Sequence, residues 1–186
     1  MNRRRFFCMP MAAALCLALT ATATTIVKMD LAELTSAASV VARGRCLASE
    51  ARMDGGYIWT FTTFEVTETL KGSTPRQITV RLIGGKVGHM KSTVDGVPQF
   101  QRDEDVFLFL EPTREGDLSV TSWVQGTFRV RLDPQTGKES VTQDTASMAV
   151  FDPVTRQFKP NGVRDMPVET FRQRVREAIE RQRTGK

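Results

Sequence analysis

The sequence predicts a mainly β protein: a small barrel of five or six strands, with a short helix before it and an amphipathic helix at the end. Three observations favour this class. Several short segments alternate apolar and polar residues, as half-buried strands do, glycine- and proline-containing turns separate them, and one late stretch has helical periodicity. A β-sandwich is the alternative, because it uses the same strand pattern.

The first elements of the barrel follow from residues 29–70. Leu31, Leu34 and Ala38 have helical spacing after Asp30, a suitable N-cap, so a short helix is expected over residues 29–38. Residues 39–49 predict the first strand and residues 57–70 the second. In the second strand the apolar positions change from odd to even at Thr62-Thr63, which predicts a β-bulge there.

The remaining elements follow the break at residues 71–75. Alternation predicts strands over residues 78–82, 118–124 and 128–132, and the continuous apolar run at 106–110 predicts a central strand buried on both sides. Residues 133–162 are expected to form short strands and loops. Residues 167–183 carry an apolar stripe typical of an amphipathic helix. The barrel is therefore placed at about residues 38–132 and a C-terminal extension at 133–186.

The N-terminus has the pattern of a secretory signal. Three arginines precede an apolar run, and Ala21 and Ala23 form an A-x-A cleavage site, so residues 1–23 are predicted to be removed on export to the periplasm or the extracellular space. A retained anchor is the alternative, although the run is shorter than the roughly 20 residues that a spanning helix needs. Arg3-Arg4-Arg5 also loosely matches the twin-arginine signal, which leaves the export route open.

Composition argues against several classes of function. Cleavage after Ala23 would leave 163 residues, enough for one domain, with 23 basic and 21 acidic side chains. Such a near balance indicates no nucleic-acid partner. Cys46 would be the one remaining cysteine, so no internal disulfide can form, and it is expected to be a small buried strand residue.

Short motifs in the barrel resemble those of a known family. The motifs are residues 38–45, Thr63-Phe64-Glu65-Val66 within the second strand, and Thr69-Leu70-Lys71-Gly72, which ends that strand. They resemble motifs of netrin-like domains, the OB-fold barrels of tissue inhibitors of metalloproteinases and related modules. The resemblance covers roughly residues 38–132. It implies an OB-like barrel and a binding module, with an exported protease as one possible class of partner.

The chain also resembles small exported bacterial proteins of unassigned function. These share an L-K-G close, a G-G loop and a later G-x-P-x-F segment, here residues 70–72, 84–85 and 96–100. One departure limits the inhibitor resemblance: those inhibitors bind zinc through an N-terminal cysteine, whereas the predicted mature chain starts Thr24-Thr25-Ile26. No inhibitor residue is therefore transferred to this chain.

The glycine-containing loop over residues 84–99 is the predicted binding region, with Lys86, His89 and Lys91 as candidate contacts for an unknown protein partner. A hydrolase using His89 with Ser92 or Asp95 is an alternative function, and an envelope structural or assembly protein is another.

No metal, cofactor or catalytic site is predicted, since one histidine and one cysteine cannot form a zinc site. Tyr57, Trp59, Phe61 and Trp123 are interpreted as core residues, with an aromatic binding face as the alternative.

Overall fold

The computed structural model describes residues 27–147, 149–160 and 162–185. The predicted export signal and its cleavage site lie outside these residues. The chain is mainly β, with one large sheet, a short N-terminal helix and a C-terminal helix, so the predicted fold class is confirmed. The elements, numbered along the chain, are α1 (Leu31–Ala37), β1 (Val40–Asp54), β2 (Tyr57–Lys71), β3 (Gln77–Ile83), β4 (Gly85–Val87), β5 (Met90–Ser92), β6 (Asp105–Pro112), β7 (Leu118–Val120), β8 (Thr127–Leu132), β9 (Glu139–Gln143), β10 (Ala149–Asp152), β11 (Gln157–Pro160), β12 (Met166–Pro167) and α2 (Val168–Arg183).

The large sheet curls back on itself because β1, the first strand in its order, also pairs with β6. Its order is β1-β2-β3-β7-β6-β8-β9-β12, and β1 also pairs with β6 through residues 40–45. Pairings therefore pass from β1 through β2, β3, β7 and β6 back to β1. The β3–β7 link is a single parallel pair, Val80 with Leu118, so the barrel is only partly closed and the sheet also resembles the sandwich alternative.

The central strand β6 separates two hydrophobic cores, as its continuous apolar run predicted. Val106, Leu108 and Leu110 face the interior of the curled sheet, whereas Phe107 and Phe109 face the layer formed by α1 and α2. All five side chains are at most 1% exposed. Because successive residues of a strand point to opposite faces, only a strand covered on both sides can be apolar throughout.

The Leu-Lys-Gly close of β2 has a local structural role. The Lys71 ammonium donates hydrogen bonds to the carbonyl oxygens of Thr35 (2.6 Å) and Ala38 (2.7 Å), at the C-terminal end of α1 where carbonyls lack helical partners. Gly72 has φ +77°, and a Cβ there would lie 2.6 Å from the Ser39 carbonyl oxygen. The motif thus joins α1 to the barrel.

Three predictions of strand detail are wrong. The inward-facing residues of β2 are even-numbered on both sides of Thr62-Thr63, so no bulge lies there. The residues without a partner in the β1–β2 pairing are Leu47, Thr67 and Leu70. β7 ends at Val120 rather than at residue 124, because Ser122 and Trp123 adopt left-handed backbone angles and begin a short 3₁₀ turn. Residues 84–99 also contain the hairpin β4–β5 instead of being loop throughout.

Arg43 joins three strands of the sheet through two carboxylates. Its guanidinium, 11% exposed, hydrogen-bonds Asp105 of β6 at 2.6 Å and Glu139 of β9 at 2.6 Å. Each carboxylate receives two parallel N–H groups or more, the geometry in which arginine binds carboxylates most strongly. These hydrogen bonds hold the pKa of Glu139 below its ordinary value of 4.5.

Arg43→Met is expected to lower the free energy of unfolding at pH 7 by about 1–3 kcal/mol, less than for a fully buried pair because both carboxylates are partly exposed. The pKa of Glu139 is lowered in the folded chain, so its stabilisation is present above pH 4.5 and is lost as the pH falls through the folded value. Urea denaturation from pH 7 to pH 3 should therefore show the difference from wild type shrinking with acid. Arg43→Lys, which keeps the charge, should lower the free energy of unfolding less than Arg43→Met does. If Arg43→Met costs the same free energy at every pH, the Glu139 carboxylate does not contribute in this way.

Candidate functional site

The predicted binding region forms a hairpin that lies over the inner face of the β1–β2 ribbon. The Gly84 amide still pairs with the Ile58 carbonyl oxygen of β2 at 2.8 Å, and the chain then turns away from β3. Gly85 has φ +131°, and a Cβ there would lie 2.5 Å from Thr60 Oγ1 and 2.8 Å from Ala51 Cβ. Only glycine permits both the backbone angle and this close approach.

Lys86 and Lys91 lie directly opposite each other on the two strands of the hairpin. Both side chains are exposed, and no ion pair to either is found within residues 27–185 as described. Like charges at paired positions of a two-stranded ribbon repel each other and destabilise it. The pair therefore forms a small, uncompensated positive site.

A cleft of about 360 Å³ opens beside this lysine pair. We call it the hairpin cleft; its floor includes Leu82 and Phe100 of the barrel interior, and Lys86 and Lys91 stand at its rim. The hydroxyl groups of Ser49 and Thr62 hydrogen-bond each other at 2.9 Å along one wall. A ligand with an apolar body and a negatively charged end fits this combination of floor and rim.

His89 does not belong to the cleft. It lies in the exposed turn between β4 and β5 and is not among the residues that line the cavity, whereas Ser92 is. Among the described residues no hydrogen bond joins His89 to Ser92 or to Asp95, the partners that the hydrolase alternative would use. Of the three predicted contact residues, the structure brings Lys86 and Lys91 together and leaves His89 apart from them.

The aromatic residues of β2 lie outside the core, so their interpretation as core residues is wrong. Ile58, Thr62 and Phe64 point inward, which places Trp59 and Phe61 on the outer face, and Tyr57 is 63% exposed. Arginines from the neighbouring strands cover the two outer rings: the Arg52 guanidinium lies 3.7 Å from the Phe61 ring centre and that of Arg81 lies 4.0 Å from Trp59. The arginines at positions 52 and 81 were the signal for an outer aromatic face that sequence reasoning missed.

A second hollow, of about 470 Å³, lies on this outer face. We call it the outer hollow; it is bordered by Ala48, Glu50, Arg52, Phe61, Thr63 and Thr79. Asp117 of the β6–β7 loop also borders it. Arg81 pairs with this carboxylate at 3.5 Å and with Asp54, the last residue of β1, at 3.1 Å. Small side chains at positions 48, 63 and 79 leave room next to the Phe61 ring.

The three consecutive acidic residues Asp103-Glu104-Asp105, at the start of β6, and the cysteine Cys46 have structural roles. Glu104 and Asp105 pair with Arg129 and Arg43, respectively. Cys46 is fully buried, and burial, together with the charge of Glu104, raises the pKa of its thiol, whereas a nucleophilic cysteine needs a lowered pKa. Within the described part of the chain no group of three or more His, Cys, Asp or Glu residues is placed to hold a metal ion.

Comparison with protein-family models and with curated proteins finds no match to this chain. The described residues include no helix that is both long and apolar enough to cross a membrane.

Proposed function

We propose that this chain is an exported, non-enzymatic binding module that contacts a protein partner through the β4–β5 hairpin and the hairpin cleft. The observation that carries the proposal is the exposed Lys86–Lys91 pair at the rim of a cleft with an apolar floor. Two like charges held opposite each other cost stability, and a bound carboxylate would relieve the repulsion.

Three further features support this class of function. The candidate residues lie on a connection that leaves a rigid sheet, which is where binding surfaces usually occur. The N-terminal signal pattern favours an exported partner, and the netrin-like resemblance makes an exported protease the first class of partner to test. The small net charge of the chain after residue 23 gives no excess for binding nucleic acid.

The double substitution Lys86→Gln and Lys91→Gln is expected to weaken partner binding by about tenfold or more, because it removes the charges at the rim and leaves the fold intact. Exported proteins from the source of the chain would be cross-linked to it and identified by mass spectrometry. The affinity of each captured protein would then be measured by calorimetry for the wild type and the variant.

The matched control is Arg131→Gln with Lys138→Gln, which removes the same charge from exposed positions near the β8–β9 turn. Binding by this control should stay within about threefold of wild type, since general electrostatic attraction changes equally in both variants. Equal loss of affinity in the two variants would refute a role for the hairpin.

His89→Ala distinguishes the hydrolase alternative from the binding module. It should leave partner binding nearly unchanged, whereas it would abolish any hydrolysis that depends on His89.

A further inference from the structure

The distal half of β1 has a free edge. β1 has strand partners on both sides only at residues 41–45. The Cys46 amide then donates to the Glu104 carbonyl oxygen, and the Cys46 carbonyl oxygen accepts from the Asp103 amide. From residue 48 to residue 54 it pairs with β2 alone, and no other backbone hydrogen bond reaches this edge from the described residues. Residues 48–50 and 52–54 are exposed. Such an edge offers unpaired N–H and C=O groups to another strand.

The two hollows lie on opposite faces of this same edge. Ser49 lines the hairpin cleft on the inner side, whereas Ala48, Glu50 and Arg52 line the outer hollow. Ala51 lines both cavities. A strand added next to β1 would therefore point its side chains alternately toward one hollow and the other.

We infer that the partner contributes an extended segment that pairs with residues 48–54 of β1 by strand addition. Its alternate side chains enter the hairpin cleft and the outer hollow, and an acidic side chain on the cleft side meets Lys86 and Lys91. In this mode backbone hydrogen bonds supply affinity and the alternating pockets supply specificity. The inference deepens the proposed binding function and rests on it.

A second copy of the chain fits the edge less well. If two β1 edges paired with each other, the residues on the cleft side would be Ser49, Ala51 and Met53 of β1 itself. Ser49 and Ala51 are too small to fill a cavity of about 360 Å³, and none of the three carries a negative charge to meet the lysine pair. The carboxylate of Glu50 lies on the side of the outer hollow, away from the lysine pair. A segment of another protein can have larger side chains that fill the hairpin cleft and an acidic side chain that meets Lys86 and Lys91.

Peptide binding to the full chain tests the inference. A displayed library of random linear peptides would be selected against the chain, and the best binder would be synthesised with one backbone N-methyl group at each position in turn. Strand addition predicts that methylation at every second position weakens binding by about tenfold or more and that the intervening positions change it little, because only alternate N–H groups face the edge. Amide exchange should slow at residues 48–54, and Lys86→Gln with Lys91→Gln should weaken acidic binders.

Several outcomes would overturn the inference. If methylation has no alternating effect, or if exchange slows only in the hairpin, the ligand occupies the cleft without pairing to β1; the binding module then stands and strand addition fails. If the chain alone shows concentration-dependent protection at residues 48–54, the occupant is a second copy. If no peptide is selected, strand addition by a linear segment fails, while the partner-capture experiment still tests the proposed function by itself.

Discussion

Phe171→Ala is expected to lower the free energy of unfolding by about 3–5 kcal/mol, the range for removing a buried aromatic side chain. Phe171 of α2 is fully buried, and its ring centre lies 4.9 Å from those of both Phe107 and Phe128 and 6.3 Å from that of Phe109. The substitution removes the side chain that ties the C-terminal helix to the sheet. It also leaves a cavity between α2 and the sheet, whose cost adds to the lost transfer free energy of the ring.

The measurement is urea denaturation followed by circular dichroism, with Phe158→Ala as the control. Phe158 is 60% exposed and contacts Phe151 at the β10–β11 hairpin, so its loss should cost less than about 1 kcal/mol. Similar midpoints for the two variants would mean that α2 contributes little to the stability of the sheet. The second core, between the helices and the sheet, would then be a minor source of stability.

Gly126→Ala is expected to destabilise the fold by about 3 kcal/mol or more, or to prevent folding, because the site has no space for a Cβ. An added Cβ would lie 2.3 Å from the Thr121 carbonyl oxygen and 2.9 Å from a methyl group of Val120. The first of these is backbone and cannot rotate away. The adjacent Gln125 side chain is buried and bonds the N-terminal segment at Val27 and Met29, so a shift of this turn would disturb those contacts as well.

Gly44→Ala is the graded comparison for this prediction. A Cβ at Gly44 would lie 3.1 Å from Phe64 Cβ and 3.2 Å from the Glu65 carbonyl oxygen, a tight fit but not an overlap. Thermal unfolding should therefore rank the wild type as the most stable, Gly44→Ala as intermediate and Gly126→Ala as the least stable. The reverse order of the two variants would show that the 3₁₀ turn at Trp123–Gly126 can move at little cost.

The sequence determined the elements whose patterns are local. Asp30 predicted the start of α1 as its N-cap, and the structure has Asp30 there in a capping box with Glu33. The apolar run at residues 106–110 predicted a strand buried on both sides, and the apolar stripe at 167–183 predicted α2. Each of these signals depends on residues within a few positions of one another, so it can be detected without knowledge of the rest of the chain.

The tertiary structure alone decided which face of each strand is buried and which residues meet. Alternation in β2 divides its residues into two sets, but the pairing with β1 and β3 decides that Phe64 is inside and that Phe61 is outside under Arg52. In the same way the hairpin register places Lys86 opposite Lys91 and leaves His89 in the turn. The free edge of β1 exists because β6 stops pairing with it after residue 45. These outcomes depend on contacts between residues tens of positions apart, and a local pattern carries no information about such contacts.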